Sequence, residues 1–129
     1  MSKEKILLEY ILHTVSPSVL WPYLSSPSGL AGWFSDDVKL DGRFLIFHWK
    51  KSTEEAEQIA VRPNRYVRFR WRVDENTKYY FEFNIAVDEI TQETILEITD
   101  FASPEEKQDT VSLWNAQVEE LKRILGVLY

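Results

Sequence analysis

The sequence contains no cysteine, and this absence excludes disulfide bonds, thiolate metal sites and cysteine nucleophiles together. It also has no nucleophile elbow, P-loop or dinucleotide-binding fingerprint. No hydrophobic run reaches the length of a transmembrane helix. The two histidines, His13 and His48, have no second metal-type ligand at a suitable spacing and are expected on outward strand faces. We therefore expect no metal, no cofactor and no membrane span.

Basic residues are outnumbered: 15 Lys and Arg stand against 21 Asp and Glu, which gives a formal net charge of −6. This excess argues against nucleic acid or an anionic membrane as a general partner. The N-terminal apolar run is interrupted by Glu9, lacks a small-residue cleavage site and alternates as a strand does, so we expect no signal peptide. With no repeat or linker in 129 residues, we expect one cytoplasmic domain over residues 1–129.

The last stretch of the chain predicts one long amphipathic helix over residues 103–126. Ser103 is placed to cap this helix, Pro104 suits its first position, and Glu106 completes a capping box. An apolar stripe recurs at three- and four-residue steps: Val111, Trp114, Val118, Leu121 and Leu125, widened by Leu113 and Ile124. The preceding chain mainly alternates as strands do, which predicts a sheet curved around one helix.

The first third of the chain predicts a strand followed by two short helices. Residues 5–14 alternate, with an inner face made of Ile6, Leu8, Tyr10 and Leu12. Two Ser-Pro pairs then predict helices over about residues 17–24 and 27–33. Pro22 falls inside the first of these and is expected to shorten or kink it.

The next segment predicts a hairpin with an unusually apolar strand. Asp41-Gly42 is a hairpin signal before residues 43–49. The inner face of that strand is predicted to carry Leu45, Phe47 and Trp49, and its outer face Phe44, Ile46 and His48. The opposite assignment, with the second set buried, stays open. Residues 54–61 predict a polar, edge-like strand.

Three further strands show the clearest alternation. Their inner faces carry Val67, Phe69, Trp71, Val73, Phe81, Phe83, Leu96 and Ile98, and their outer faces carry mostly charged residues. A hairpin centred on Asn76 places Arg70 opposite Glu82 and Arg68 opposite Asn84. A second hairpin, centred between residues 90 and 91, places Asn84 beside Glu97. These registers predict a charge-paired outer ladder and an aromatic inner floor beneath Trp114 and Val118.

The order of these elements is that of the helix-grip fold. Residues 26–34, SPSGLAGWF, resemble the helix-to-strand passage of START-like proteins of the SRPBCC superfamily. Residues 66–71 and 98–101 fall at strands five and seven of the branch that contains Aha-type heat-shock-chaperone ATPase activator homologues, and residues 114–125 at its closing helix. The resemblance implies an α+β, β-α-α-β6-α helix-grip (START-like) fold, in which a curved antiparallel seven-stranded sheet surrounds a long C-terminal helix.

The resemblance also directs attention to the space between sheet and helix, which in helix-grip proteins is often a hydrophobic ligand cavity. The residues expected to line it are Trp33, Phe47, Trp49, Phe69, Trp71, Phe81, Phe83, Asp100, Trp114, Val118 and Leu121. Large aromatic side chains either enclose a pocket or fill it in a small domain. Both alternatives stay open from the sequence.

Asp100 is the most informative polar residue of this set. Strand parity carries it inward after Leu96 and Ile98, where it would contact a ligand or have a raised pKa. The alternative, which we prefer at this point, is that the strand has ended and Asp100 turns outward beside Ser103.

The outer surface offers two further candidates. Arg68, Arg70 and Arg72 form either an anion or partner patch or, as we prefer, a cross-strand network with neighbouring glutamates. Phe44, Ile46 and His48, with Leu7 and Ile11, form an apolar surface for a homodimer or protein partner if their face is outward.

Three functional hypotheses follow. The first is a non-catalytic module that binds a small hydrophobic or amphipathic ligand between sheet and C-terminal helix. The second is a protein-interaction or chaperone-associated factor that acts through its surface. The third, a polyketide-cyclase-like enzyme, would need polar groups inside the cavity, and the sequence offers almost only Asp100 and Tyr10.

Overall fold

The computed structural model describes residues 2–127, which form one antiparallel sheet, two short helices and a long C-terminal helix. The strands are β1 (Glu4–Ile11), β2 (Asp37–Asp41), β3 (Phe44–Trp49), β4 (Ser52–Arg62), β5 (Tyr66–Trp71), β6 (Phe81–Val87) and β7 (Thr94–Ala102). The helices are α1 (Pro17–Ser25), α2 (Pro27–Leu30) and α3 (Lys107–Leu125). The seven strands lie in the order β1-β7-β6-β5-β4-β3-β2. The predicted α+β helix-grip architecture is confirmed.

Serine caps begin both short helices, as the Ser-Pro pairs predict. The Ser16 hydroxyl accepts from the N–H of Val19 at 3.3 Å, and the Ser26 hydroxyl accepts from the N–H of Gly29 at 3.0 Å. Pro22 lies inside α1, which still extends over nine residues. The second helix ends at Leu30 and is therefore shorter than predicted, because Ala31 is already extended.

Gly29 allows the two short helices to pack closely. A Cβ atom at this position would lie 1.9 Å from the carbonyl oxygen of Pro22, far inside van der Waals contact. Only glycine fits such a close backbone approach. The contact holds α2 against α1 and so positions the Trp33-Phe34 segment that follows.

The prediction that residues 54–61 form an edge strand is wrong. Strand β4 pairs with both β3 and β5, and its register shifts between Gln58 and Ala60. Its polar sequence reflects exposure on both sides of the strand, since Glu54 and Gln58 are exposed on the same side as the buried Ala56. Among the described residues, β1 and β2 are the two edges of the sheet.

One of the two predicted hairpin registers is correct. Asn84 lies opposite Glu97, as expected, and its side-chain amide donates to the Glu97 carboxylate at 2.7 Å. Arg68, however, lies opposite Glu82 rather than Asn84, because a 3-10 turn at Arg72–Asp74 ends β5 at Trp71. The shift is two residues, so the faces of the strands are unchanged. Val73 falls in that turn and is 81% exposed, not inner.

The long helix begins four residues later than predicted, at Lys107. The Ser103 hydroxyl donates to the Glu106 carboxylate at 2.9 Å instead of accepting from the helix backbone. The end is as predicted: Gly126 is left-handed, with φ 73°, and closes the helix with its N–H on the Arg123 carbonyl. The helix buries Trp114, Val118 and Leu121. Leu113 and Ile124 do not widen this stripe, since both are exposed.

Between sheet and helix lies an aromatic core centred on Phe34, which follows α2. Its ring centre lies 5.0 Å from that of Phe47, 5.5 Å from Phe81 and 5.6 Å from Trp114. Phe69 and Phe83 complete the buried floor. The inner faces predicted for β3, β5, β6 and β7 are confirmed, and the outward assignment of Phe44, Ile46 and His48 is confirmed with them.

Candidate functional site

Most of the residues expected to line a cavity pack against one another instead. The buried members are Trp33, Phe47, Phe69, Phe81, Phe83, Val118 and Leu121. Phe34, which the sequence reasoning did not assign to the site, fills the space that they surround. The interior beneath the middle of α3 is thus a packed core, so any ligand space lies at its margin.

A pocket of about 220 Å³ opens at that margin, where the N-terminal half of α3 meets the ends of the strands. We call it the mouth pocket; it is lined by Phe34, Trp49, Trp71, Asp100, Thr110, Leu113, Trp114 and Gln117. It brings together Trp49, Trp71, Asp100 and Trp114 from the predicted set. Phe34, Thr110, Leu113 and Gln117 were not assigned to a site from the sequence, and an outward-looking leucine in an amphipathic helix gives no signal of such a role.

Hydrogen bonds hold the walls of the mouth pocket. The carbonyl oxygen of Phe34 accepts from Nε1 of Trp49 at 3.0 Å and from Nε2 of Gln117 at 2.8 Å. Buried indole N–H groups need partners of this kind. The Phe34 backbone therefore ties β3 to α3 across the pocket.

Asp100 lies on the inner face of β7, opposite Ile6 of β1. The preferred expectation that the strand ends before it and turns it outward is wrong, because β7 continues to Ala102. One carboxylate oxygen accepts from Nε1 of Trp114 at 2.8 Å, and the other from the N–H of Phe101 at 2.7 Å. The hydrogen bond from the Trp114 indole on α3 stabilises the inward position of the Asp100 side chain.

The environment of Asp100 acts on its charge in two directions. Burial raises the pKa of the Asp100 carboxyl above its ordinary value, and the nearby Asp74 adds to that rise. The hydrogen bonds from Trp114 and Phe101 lower the pKa, as does the Lys3 ammonium. The result is a partly buried acid whose charged form is held by two N–H donors.

A second, smaller pocket of about 120 Å³ adjoins the first. We call it the rim pocket; it is lined by Lys3, Trp71, Asp74, Tyr79, Tyr80, Asp100, Phe101 and Thr110. The two pockets share Trp71, Asp100 and Thr110. Aromatic rings and carboxylates therefore line a continuous margin around one end of the sheet.

A larger concavity, about 490 Å³, is a groove between the end of β1, the start of α1 and the end of α3. His13 is the titratable side chain among its described lining residues, and it has left-handed backbone with φ 50°. Its Nδ1 lies 2.6 Å from a carboxylate oxygen of Glu93. Among its described lining residues this groove has no phenylalanine, tyrosine or tryptophan, in contrast to the mouth pocket, which has four such rings.

The outer-face arginines form a network, as preferred from the sequence. Arg68 donates to Glu82 at 2.8 Å, Arg70 to the Tyr79 carbonyl at 2.8 Å, and Arg72 to Glu55 at 3.1 Å. This face is therefore neutralised locally rather than left as an anion site.

The expected apolar surface is divided between opposite ends of the sheet. Leu7 and Ile11 are exposed on β1, whereas Phe44 and Ile46 lie on β3, so they form no common patch. Arg43 and Arg72 cover the Phe44 ring from 4.9 and 4.7 Å. His48 is half-buried beside Thr53, 3.2 Å from its hydroxyl.

Tyr10 and Asp100, the polar groups considered for catalysis, lie apart. Tyr10 pairs with Leu96, four residues from Asp100 along β7, and its hydroxyl donates to Asn115 at 2.6 Å. Burial raises the pKa of Tyr10 to about 12. Within residues 2–127 we find no group of three histidine or carboxylate side chains that could hold a metal ion. No helix in the same range is long and apolar enough to cross a membrane.

The chain belongs to the START-like superfamily, since the model of the START-like superfamily domain matches residues 1–127. This is the superfamily that the resemblance in the sequence indicated. No curated protein matches the chain.

Solved structures agree with this class. BfR322 from Bacteroides fragilis is 42% identical, with a TM-score of 0.68, and the match covers 100% of this chain and 96% of that one. The Aha1 dimer from Colwellia psychrerythraea is 16% identical, with a TM-score of 0.75 and coverages of 92% and 93%. CalU16 from Micromonospora echinospora is also 16% identical, with a TM-score of 0.72 and coverages of 98% and 78%. The last two show the fold alone.

Proposed function

We propose that this chain, as a single START-like domain, binds a small amphipathic ligand in the mouth pocket without transforming it. The observation that carries the proposal is an apolar pocket with a few convergent polar groups, at the junction of sheet and α3. The aromatic rings of Trp49, Trp71 and Trp114 would contact the body of the ligand. Asp100, Thr110 and Gln117 would fix its polar end.

The chemistry of these groups suits recognition better than turnover. Each carboxylate oxygen of Asp100 already accepts one hydrogen bond but retains a further lone pair for a ligand donor. Tyr10, the other candidate acid–base group, lies away along β7 with its hydroxyl on Asn115. An acid and a base must both reach the reacting atoms for general acid–base catalysis, and these two do not converge.

The pocket also limits the size of the ligand. At about 220 Å³ it is smaller than typical cavities for drug-sized molecules, and the packed core behind Phe34 prevents deeper entry. A compact ring with a short polar chain therefore fits better than a long acyl chain.

The test uses 4-phenylbutanol, a neutral probe with an aromatic body and one hydroxyl group. Two-dimensional NMR of the indole N–H groups follows all five tryptophans at once. We expect the signals of Trp49, Trp71 and Trp114 to shift on titration, whereas those of Trp21 and Trp33, which do not line the pocket, stay unchanged. Uniform shifts of all signals, or none, would exclude the mouth pocket as the site.

A matched pair of variants separates binding from folding. Leu113→Gln places a polar group on an exposed wall of the pocket and should weaken binding about tenfold with little effect on stability. Ile124→Gln makes the same kind of change on the exposed side of α3 outside the pocket and should leave binding unaltered.

A second candidate function is contact with a protein partner through the outer face. Phe44 and Ile59 line a concavity of about 250 Å³ there, with Arg70, Arg72 and Glu57 around it. The Colwellia Aha1 structure is that of a dimer. If Phe44, Ile46 and His48 mediate self-association, sedimentation velocity should show a dimer that Phe44→Ser disrupts; a concentration-independent monomer would exclude a homodimer.

A further inference from the structure

The rim pocket already holds a positive charge that belongs to the chain. Nζ of Lys3 lies 3.9 Å from Oδ1 of Asp74 and 5.1 Å from the centre of the Tyr79 ring. The backbone N–H of the same lysine donates to the Tyr79 hydroxyl at 3.2 Å. An ammonium group between a carboxylate and an aromatic face combines an ion pair with a cation–π contact. The geometry of the rim pocket thus suits a cation.

The charges lining the two pockets do not balance. Asp74 and Asp100 are the carboxylates among their described lining residues, and Lys3 is the single cation. One negative charge therefore remains when the Lys3 ammonium is in place, and two remain when it is withdrawn. The Lys3 side chain is 34% exposed, so water can replace its contacts at modest cost.

The aromatic walls continue from one pocket to the other. Trp71 contributes to both. Phe101 in the rim pocket contacts Tyr79 and Tyr80 at steep ring angles, with ring centres at 5.4 and 5.1 Å. A molecule whose body occupies the mouth pocket can therefore extend a short chain past Asp100 into the rim pocket.

We propose that the ligand is a small cationic amphiphile, whose ammonium group replaces that of Lys3 beside Asp74 and Tyr79, in the pocket that Asp100 also lines. This inference rests on the proposed function, because it assigns the chemical class of the molecule in the mouth pocket. Lys3 then competes with the ligand for the same position. When no ligand is bound, the Lys3 ammonium offsets part of the negative charge of Asp74 and Asp100. The net charge of −6 adds a long-range attraction for cations.

The experiment compares three probes of similar shape at neutral pH: 4-phenylbutylamine, 4-phenylbutanol and 4-phenylbutyrate. We expect the amine to bind about tenfold more tightly than the alcohol, and the carboxylate to bind more weakly than either, from the sign of the charge at the rim. The indole NMR titration reports all three affinities at the same site.

Three variants locate the charge. Lys3→Met should raise the affinity for the amine about threefold and leave that for the alcohol unchanged, since it removes only the competing ammonium. Asp100→Asn should lower the affinity for the amine about tenfold, to the level of the alcohol. Asp74→Asn provides the same test without touching the Trp114 hydrogen bond.

The matched controls are Lys39→Met and Asp41→Asn. They change the same charges at exposed positions of strand β2 and should alter the affinity for neither the amine nor the alcohol.

The outcomes distinguish the two proposals. Equal binding of amine and alcohol would overturn the cationic class while the binding function stands. Tighter amine binding that Lys3→Met weakens or leaves unaltered would overturn the exchange with Lys3. If no probe shifts the pocket tryptophans, both proposals fail together.

Discussion

Both ends of the aromatic cluster beneath α3 are built from aromatic rings, yet only one end is closed. At the closed end Phe47, Phe69 and Phe83 are fully buried against apolar neighbours. At the open end Trp49 and Trp71 are only partly buried, and space remains around Asp100. Phenylalanine can be surrounded completely, whereas tryptophan needs a partner for its N–H. Trp49 and Trp71 therefore mark the boundary between packed core and pocket.

The largest effect should come from emptying the centre of the aromatic core. Phe34→Ala removes the ring that contacts Phe47, Phe81 and Trp114, and we expect a loss of about 3–5 kcal/mol in unfolding free energy. Urea denaturation followed by tryptophan fluorescence measures this loss.

Leu113→Ala is the matched control at the open end. Its side chain is exposed, so the expected change in stability is within about 0.5 kcal/mol. If the two variants lost similar stability, the contrast between a filled and an open end of the cluster would be wrong.

The next effect tests the hydrogen bond at the boundary. Trp114→Phe keeps an aromatic ring on α3 but removes the donor to Asp100, and should cost about 1–3 kcal/mol. A double-mutant cycle with Asp100→Ala, which leaves no side-chain acceptor, separates this bond from packing. Strictly additive losses would show that the two side chains are not coupled, contrary to their 2.8 Å contact.

The fold was largely predictable because hydrophobic alternation constrains which face of each strand is buried. The order of elements, the inner faces of the strands and the register of Asn84 with Glu97 all followed from it. The position of Arg68 did not, since the 3-10 turn at Arg72–Asp74 shortens β5 without changing its parity. Periodicity of two cannot detect a shift by two residues.

The pocket was harder to predict because it depends on which aromatic residue fills the centre. Nothing in the sequence distinguishes Phe34 from Trp33 beside it, yet Phe34 occupies the space between sheet and helix. Asp100 was expected to turn outward because the strand was expected to end before it. The inward position is stabilised by an indole partner 14 residues away on a different element, which the sequence does not reveal.

The pH dependence of stability that Asp100 contributes should be a smaller effect, and the direction of its pKa shift fixes its sign. Because burial raises the pKa of Asp100 when the protein is folded, this group stabilises the fold most below the ordinary aspartate pKa, and that contribution is lost as pH rises through the raised value. Asp100→Asn should abolish this component. Relative to the variant, the wild-type protein should thus lose stability as the pH rises from about 4, the ordinary aspartate pKa, towards neutrality. A wild-type protein that gains stability relative to the variant over this range would contradict the raised pKa.

The smallest loss of stability should come from removing one of the hydrogen bonds to the Phe34 carbonyl at the open end. Gln117→Leu removes one of the two N–H donors to the Phe34 carbonyl, but Trp49 still donates to that oxygen at 3.0 Å. Because no buried acceptor loses its last partner, we expect a cost below about 1 kcal/mol in urea unfolding. Trp49→Phe is the reciprocal variant, and combining the two leaves the carbonyl unpaired. The double variant should therefore lose more than the sum of the single losses; an additive result would mean that water replaces both donors and that the open end extends to the Phe34 backbone.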